Sequence, residues 1–306
     1  MTKSTPESRQ RLALALLWFT PALWAVNYLV ARTAPGVITP HVLALGRWAL
    51  AGAILLSLSH REIWRHRTAL ATQWPHYLVL GALGMMICGA WVYLGAQTTS
   101  AINIALIYAA SPVLIALGAM LWLGESMRLR QMLGVALALT GVLHVVLKGQ
   151  WLSLSAVQWV AGDGWIVLAM IAWAGYALLQ KKWTSPLGST ARLAMICAGG
   201  VLTLVPGALF ELWHTPMVWT PLALGLILTA GLLPGVCAYW SYGFAQKTLG
   251  ASRVAASLYM GPLYGALLSW GVLGEPLGLH HLGGALLILP GIWLASRSVP
   301  AAPEPV

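Results

Sequence analysis

Charge is what this sequence has least of. Only 8% of its 306 residues are Asp, Glu, Lys or Arg, against roughly 25% in soluble domains, which excludes an ordinary water-solvated domain. Acidic residues are the scarcer sign, seven against 17 basic, and Glu125, Asp163, Glu211 and Glu275 stand at the ends of apolar runs. No carboxylate holds a clear midplane position, so the sequence gives no support to proton-coupled export of cations, which would need one there. The three cysteines, Cys88, Cys197 and Cys237, fall in apolar runs and read as buried thiols, with neither a disulfide framework nor paired metal spacing. The histidines are scattered, and H-E-x-x-H and G-x-S-x-G are both missing, which argues against an intramembrane enzyme handling lipid or lipid-linked substrates. No metal site and no cofactor is expected. Strand alternation is absent as well, which argues against a membrane barrel.

What the chain does have is apolar residues, 59% of the total, gathered in runs of about twenty, enough to cross a ~30 Å hydrocarbon core as helix. Ten are read, at 12–32, 41–59, 76–96, 101–123, 130–147, 164–180, 191–212, 221–246, 252–273 and 279–297. The expected fold is an all-α polytopic membrane protein of ten transmembrane helices joined by short loops, with no attached soluble domain. The first run follows Lys3, Arg9 and Arg11, as a signal peptide would. It is long, carries Trp24, Asn27 and Tyr28 and lacks a convincing small-residue cleavage site, so it reads as a retained helix. The net charge of +10 sits in connections beside the spans, where Lys and Arg set topology and meet anionic headgroups. The expected partners are the lipid bilayer and a small-molecule substrate, and nucleic acid is not one; the oligomeric state does not follow from the sequence.

The chain also spells one phrase twice. At an offset of 149, Trp24 meets Trp173, Cys88 meets Cys237, Trp91 meets Trp240, Tyr93 meets Tyr242 and Thr99 meets Thr248. At 150, Pro112 meets Pro262, Gly124 meets Gly274, Glu125 meets Glu275 and Gly141 meets Gly291. A period this long implies a duplicated five-helix unit rather than a solenoid, with units at 1–150 and 151–306. Because five is odd, the second copy must enter the membrane from the opposite side, giving two inverted repeats. Basic residues fit this, since they concentrate in cytoplasmic loops. With both termini cytoplasmic, the inside connections hold Arg61, Arg65, Arg67, Arg128, Arg130, Lys181, Lys182, Arg192, Lys247 and Arg253, and the outside ones little beyond Lys148 and Arg32. GESMRLR is thus expected inside and its copy GEPLGLHH outside. Inverted repeats are a mark of secondary transporters, whose substrate sites lie near the midplane where helices are interrupted.

Candidate interruptions are Pro112 and Pro262, which should strip the carbonyls of Tyr108 and Leu258 of their helical partners, and Pro234, which has no proline counterpart in the first half. Seventeen Trp and nine Tyr against three Phe form an unusual aromatic inventory. Trp64, Trp74, Trp151, Trp159, Trp213 and Trp219 fit an interfacial belt. Trp24, Tyr28, Trp91, Tyr108, Trp173, Tyr176, Trp240, Tyr259 and Tyr264 lie deeper or beside breaks and are the candidate cavity lining, able to stack a solute and take its polar end. Ordinary packing accounts for each ring taken singly; the set favours a pocket. Asn27, Ser111 and Ser257 are polar groups on spans that either bridge helices or face substrate. Arg47 is a candidate contact for a carboxylate, with snorkelling to the outer end as the alternative. Glu125 and Glu275 are expected to anchor turns at helix starts, and the glycine pairs Gly81 and Gly84, Gly199 and Gly200, Gly283 and Gly284 to allow close helix approach.

The ten spans, the five-plus-five inverted repeat and the G-E phrase closing the fourth and ninth spans resemble the drug/metabolite transporter superfamily in its EamA-type branch, over almost the whole chain. Within it, length and aromatic richness are similar to the YddG-type aromatic amino-acid exporters. The resemblance implies a central cavity formed chiefly by spans 1–4 and 6–9, spans 5 and 10 at the periphery, alternating access, and a place in a bacterial inner membrane. It implies export of amino acids and related metabolites, aromatic ones first, with methionine and threonine as further candidates. Drugs, nucleosides or sugars are the rival cargoes. The first span lacks the intramembrane glutamate of the small multidrug relatives, which weakens drug/proton antiport.

Overall fold

The computed structural model describes residues 6–123, 129–152, 160–249 and 260–296. Helix α1 is Pro6–Thr33, α2 Pro40–Arg65 and α3 Arg67–Gly95. Helix α4 is broken into Ala101–Ala109 and Ser111–Leu123, followed by α5 (Leu129–Val146), α6 (Ala161–Lys182) and α7 (Ser189–His214). Helix α8 runs through Pro221–Ala230, Gly231–Cys237 and Ala238–Leu249; α9 is Gly261–Leu273 and α10 Leu279–Ser296. No strand occurs among the described residues. Eight of these helices are long and apolar enough to cross a bilayer, and the last two are shorter apolar helices in the ninth and tenth positions. The chain is an all-α, multi-pass membrane protein. Helices α1, α2 and α3 run past their apolar stretches into polar turns because helical backbone bonds do not depend on side-chain polarity. The start of the ninth predicted run, 252–259, lies outside the described residues.

Two antiparallel pairs form the frame. Helices α2 and α7, equivalent at offset 149, pack along their length and cap each other. Glu211 at the end of α7 accepts from the His41 and Val42 backbone N–H groups at 2.8 and 3.3 Å, opening α2. At the other end, Glu62 of α2 accepts the N–H of Gly188, just ahead of α7, at 2.5 Å. The two glutamates are 149 positions apart. Each places a carboxylate on an unsatisfied helix start, which is worth about 0.3–1 kcal/mol. Helices α5 and α10 form the second pair. There a Cβ on Gly141 would stand 2.9 Å from the Ile288 backbone nitrogen, and one on Gly291 2.6 Å from that of Ala138. The α3–α7 crossing is closer still, since a Cβ on Gly81 would fall 2.2 Å from the Gly200 nitrogen. Without a hydrophobic drive between helices in lipid, such backbone approach is what packs them.

The interruptions differ partly from expectation. Helix α8 is π-helical over Gly231–Cys237, around Pro234. Helix α3 is π-helical over Ala82–Trp91, starting 149 positions earlier although no proline stands there. The break in α4 falls at Ala110, and the Tyr108 carbonyl finds a local partner, accepting the Ser111 hydroxyl at 2.5 Å. Pro112 and Pro262 occupy the second position of the helices beginning at Ser111 and Gly261. In the first turn a missing N–H costs nothing. Leu258 lies outside the described residues.

Candidate functional site

A cavity of about 980 Å³ enters the bundle between the two halves. Its walls come from α1 (Trp24, Asn27, Tyr28), α2 (Arg47, Trp48, Leu55), α3 (Gly84, Cys88, Val92), α4 (Tyr108, Ser111), α6 (Trp173, Tyr176, Gln180), α7 (Arg192) and α8 (Tyr239, Trp240, Phe244), with Gly261 of α9 and Ile292 of α10. Most of the wall thus comes from helices 1–4 and 6–9, and α10 adds Ile292 at its edge. The exposed lining residues Leu58, Ser189 and Thr190, beside Gln180, Leu187 and Arg192, mark an opening where α2 and α6 end and α7 begins. Aromatic rings fill the interior. Trp24 meets Tyr239 edge-on at 5.6 Å and Tyr242 at 5.5 Å, and Trp173 stacks on Tyr176 at 5.1 Å.

The polar floor is built on Arg47, which is 5% exposed. Its Nη1 donates to Asn27 Oδ1 at 2.8 Å and to Tyr93 Oη at 3.2 Å, and Tyr93 Oη donates to the same Asn27 oxygen at 2.8 Å. The guanidinium carbon sits 4.4 Å from the Trp48 ring centroid. Arg47 Nε is buried without a hydrogen-bond partner, as is Tyr108 Oη. No carboxylate pairs with Arg47 among the described residues. This answers the snorkelling alternative: the side chain turns inward, bonding α1 and α3. A buried cation is costly unless paired, and here the described partners of the guanidinium are neutral groups beside the cavity.

The opposite end of the bundle is shut by polar contacts that sequence reasoning did not find. Arg32, ending α1, pairs with Glu275 at 3.1 Å and donates to the Ala96 carbonyl at 2.6 Å. Glu275 also accepts the N–H groups of Ala101 and Ile102 at 3.1 and 3.3 Å. It thus anchors a helix start as expected, but that of α4, about 174 residues away, and not its own turn. Beneath lies a buried group in which Thr99 Oγ1 donates to Asp163 Oδ1, Asn103 Nδ2 donates to the same oxygen at 3.1 Å, and His281 Nε2 meets Asn103 Oδ1 at 3.1 Å. Among the described residues no three His, Cys, Asp or Glu side chains converge as metal ligands.

The EamA-like transporter family matches the chain twice, over residues 11–147 and 160–297. The chain belongs to that family. It is 26% identical over 94% of its length to an uncharacterized transporter of Archaeoglobus fulgidus, 98% of which is covered. It is 29% identical to a probable terminal-alkyne amino-acid exporter of Streptantibioticus cattleyicolor over 73% of each chain. A solved crystal structure shares the fold with a TM-score of 0.59 and 18% identity, covering 95% of this chain and 96% of the other.

In this EamA-like transporter, Trp24, Asn27, Tyr28, Arg47, Tyr108, Ser111, Trp173, Tyr176 and Trp240 line one cavity. Trp91 and Tyr264 are not among its lining residues. Gly84, Cys88 and Val92, four apart, form the cavity face of α3, so Trp91 turns aside and meets Trp165 edge-on at 5.2 Å. On α9 it is Gly265 that faces the Tyr28 ring, leaving Tyr264 rotated away by one helical step. Ser257 and Tyr259 lie outside the described residues. Of the α8 pair, Trp240 stands at the rim, 55% exposed, while Tyr239 faces inward against Trp24 and Trp48. Trp48, Tyr239 and Arg192 were missed; each stands beside a residue or charge cluster already singled out.

Proposed function

We propose that this EamA-like transporter exports amino acids and related carboxylates from the cytoplasm, aromatic ones above all, from an inner membrane in which both termini face the cytoplasm. The observation that carries the reading is Arg47, a buried cation without a carboxylate partner among the described residues, set in a cavity walled by Trp and Tyr. The guanidinium would take the carboxylate, and the Trp24–Tyr239 and Trp173–Tyr176 groups would stack an aromatic side chain. A relative named as a probable amino-acid exporter is in line with this cargo.

The cavity opens at the Arg192 end, where basic residues cluster, so it would load from the cytoplasm. Residues 1–150 and 151–306 act as inverted repeats, and rocking of one against the other would close that end and open the far one. By the repeat offsets Arg32 corresponds to Lys181 and Glu275 to Glu125, so an equivalent latch would form at the cytoplasmic end; Glu125 lies outside the described residues. Near-equal energies of the two states follow from the internal symmetry, and no catalytic residue is required. The test is counterflow in proteoliposomes with labelled phenylalanine, tryptophan, methionine and threonine, with and without a proton gradient. Uptake of the aromatic pair is expected. If no amino acid moves while a cationic drug moves with a pH gradient, the reading fails.

A further inference from the structure

The charge inventory of the cavity goes beyond the aromatic amino-acid reading and rests on it. Among the described residues two cations line the space, Arg47 at the floor and Arg192 at the mouth. Arg192 is held by neutral groups, its Nη2 donating to the Gln180 and Trp183 carbonyls at 2.9 and 2.6 Å, and its Nε is buried without a partner. The sequence has only seven acidic residues. Of those described, Glu7 lies in the first turn of α1, Glu62 and Glu211 cap α7 and α2, and Asp163 and Glu275 are engaged in the shut end. None lines the cavity.

An ammonium entering with its carboxylate on Arg47 would therefore find no ionised partner among the described residues. The best neutral acceptor at the floor, Asn27 Oδ1, already takes hydrogen bonds from Arg47 and Tyr93, which is its full complement of lone pairs. The groups left unpartnered there, Arg47 Nε, Trp48 Nε1 and Tyr108 Oη, are donors, or donor and acceptor in the case of the phenol. Aromatic faces attract cations, but two guanidiniums in a space of low dielectric oppose a third positive charge. A zwitterion would gain at one end and lose at the other.

We propose that the preferred cargo is a net anion, an aryl-substituted carboxylate whose amine is capped by acylation or replaced by an oxo or hydroxy group, ahead of the free amino acid. Cations are rejected. Such acids are products of amine acylation or deamination, so a reaction of that class would supply the substrate.

The test uses the reconstituted full chain, with the membrane potential clamped at zero, and three solutes sharing one ring: N-acetylphenylalanine, phenylalanine and a phenylalkyl-trimethylammonium. Initial rates below saturation should run at least threefold faster for the first than the second, and at least tenfold slower for the third than the second. Arg47→Gln should abolish the preference for the anion, and Arg47→Lys should restore part of it; Arg192→Gln, away from the floor, should halve the preference if Arg47→Gln does not fold. With the potential unclamped, flux of the anion but not of phenylalanine should respond to voltage. If phenylalanine moves and the acetylated acid does not, or if the quaternary ammonium matches it, the charge proposal is overturned while amino-acid export stands. If none of the three moves in folded protein, both fall.

Discussion

The two ends of this bundle are made from equivalent residues and yet are in different states. At one end Arg32, Glu275 and the start of α4 are locked together over a buried Thr99–Asp163–Asn103 group. At the other, the cavity opens between Gln180, Leu187 and Arg192. The α2–α7 pair does not share this asymmetry, because Glu62 and Glu211 make the same cap at both ends. The difference teaches which parts are frame and which are gate. Contacts made twice hold the frame, and in the alternating access proposed above the contact between the residues after α9 and the α1 and α4 ends is the one to break.

The strongest way to break the comparison is Glu275→Ala, which removes the partner of Arg32 and the cap of α4 together. A loss of about 2 kcal/mol, from a charged hydrogen bond and a cap, would shift the balance between open ends roughly thirtyfold. It should be read as labelling of Cys88, which lines the cavity from α3, from the Arg32 side. Next is Trp24→Ala, which empties the inner stack on Tyr239 and Tyr242 and should slow aromatic flux about tenfold at equal expression. Arg32→Gln leaves the α4 cap in place, so its opening effect should be smaller, about fivefold. Trp240→Ala, at the rim, should cost about threefold. Trp151→Ala should change flux less than twofold, because Trp151 only bonds His144 at 2.8 Å on the surface. Equal effects of the Trp24 and Trp151 substitutions would remove the distinction between cavity and belt.

Much of the frame was legible in the sequence because apolar runs and an offset of 149 to 150 are signals of composition and spacing. Nine of the proposed lining residues come together in one cavity, although only Tyr108, Ser111 and Trp240 stand beside the breaks and the other six lie on the unbroken helices α1, α2 and α6. The remainder depends on geometry that spacing does not carry. The π segment in α3 has no proline to announce it, and only its match to Gly231–Cys237 marks it. Trp91 was misplaced because a helix face four residues wide, Gly84, Cys88 and Val92, passes it by. Glu275 stands after a glycine as a local turn anchor would, but it caps a helix of the other half, a long-range contact that nothing in its neighbourhood spells out. The Glu62 and Glu211 caps were hidden for the same reason.

The most direct measurement is side-specific labelling of Cys88, which faces the cavity from α3, with Cys197 and Cys237 changed to Ser and a small membrane-impermeant thiol reagent applied to sealed vesicles of either orientation. Reaction should come from the side that exposes Arg192 and be slowed by an aromatic carboxylate. From the Arg32 side it should appear only when Glu275→Ala is present. Ready labelling of the otherwise unaltered protein from the Arg32 side alone would contradict a cavity that opens where α2 and α6 end and is latched where α1 and α9 end.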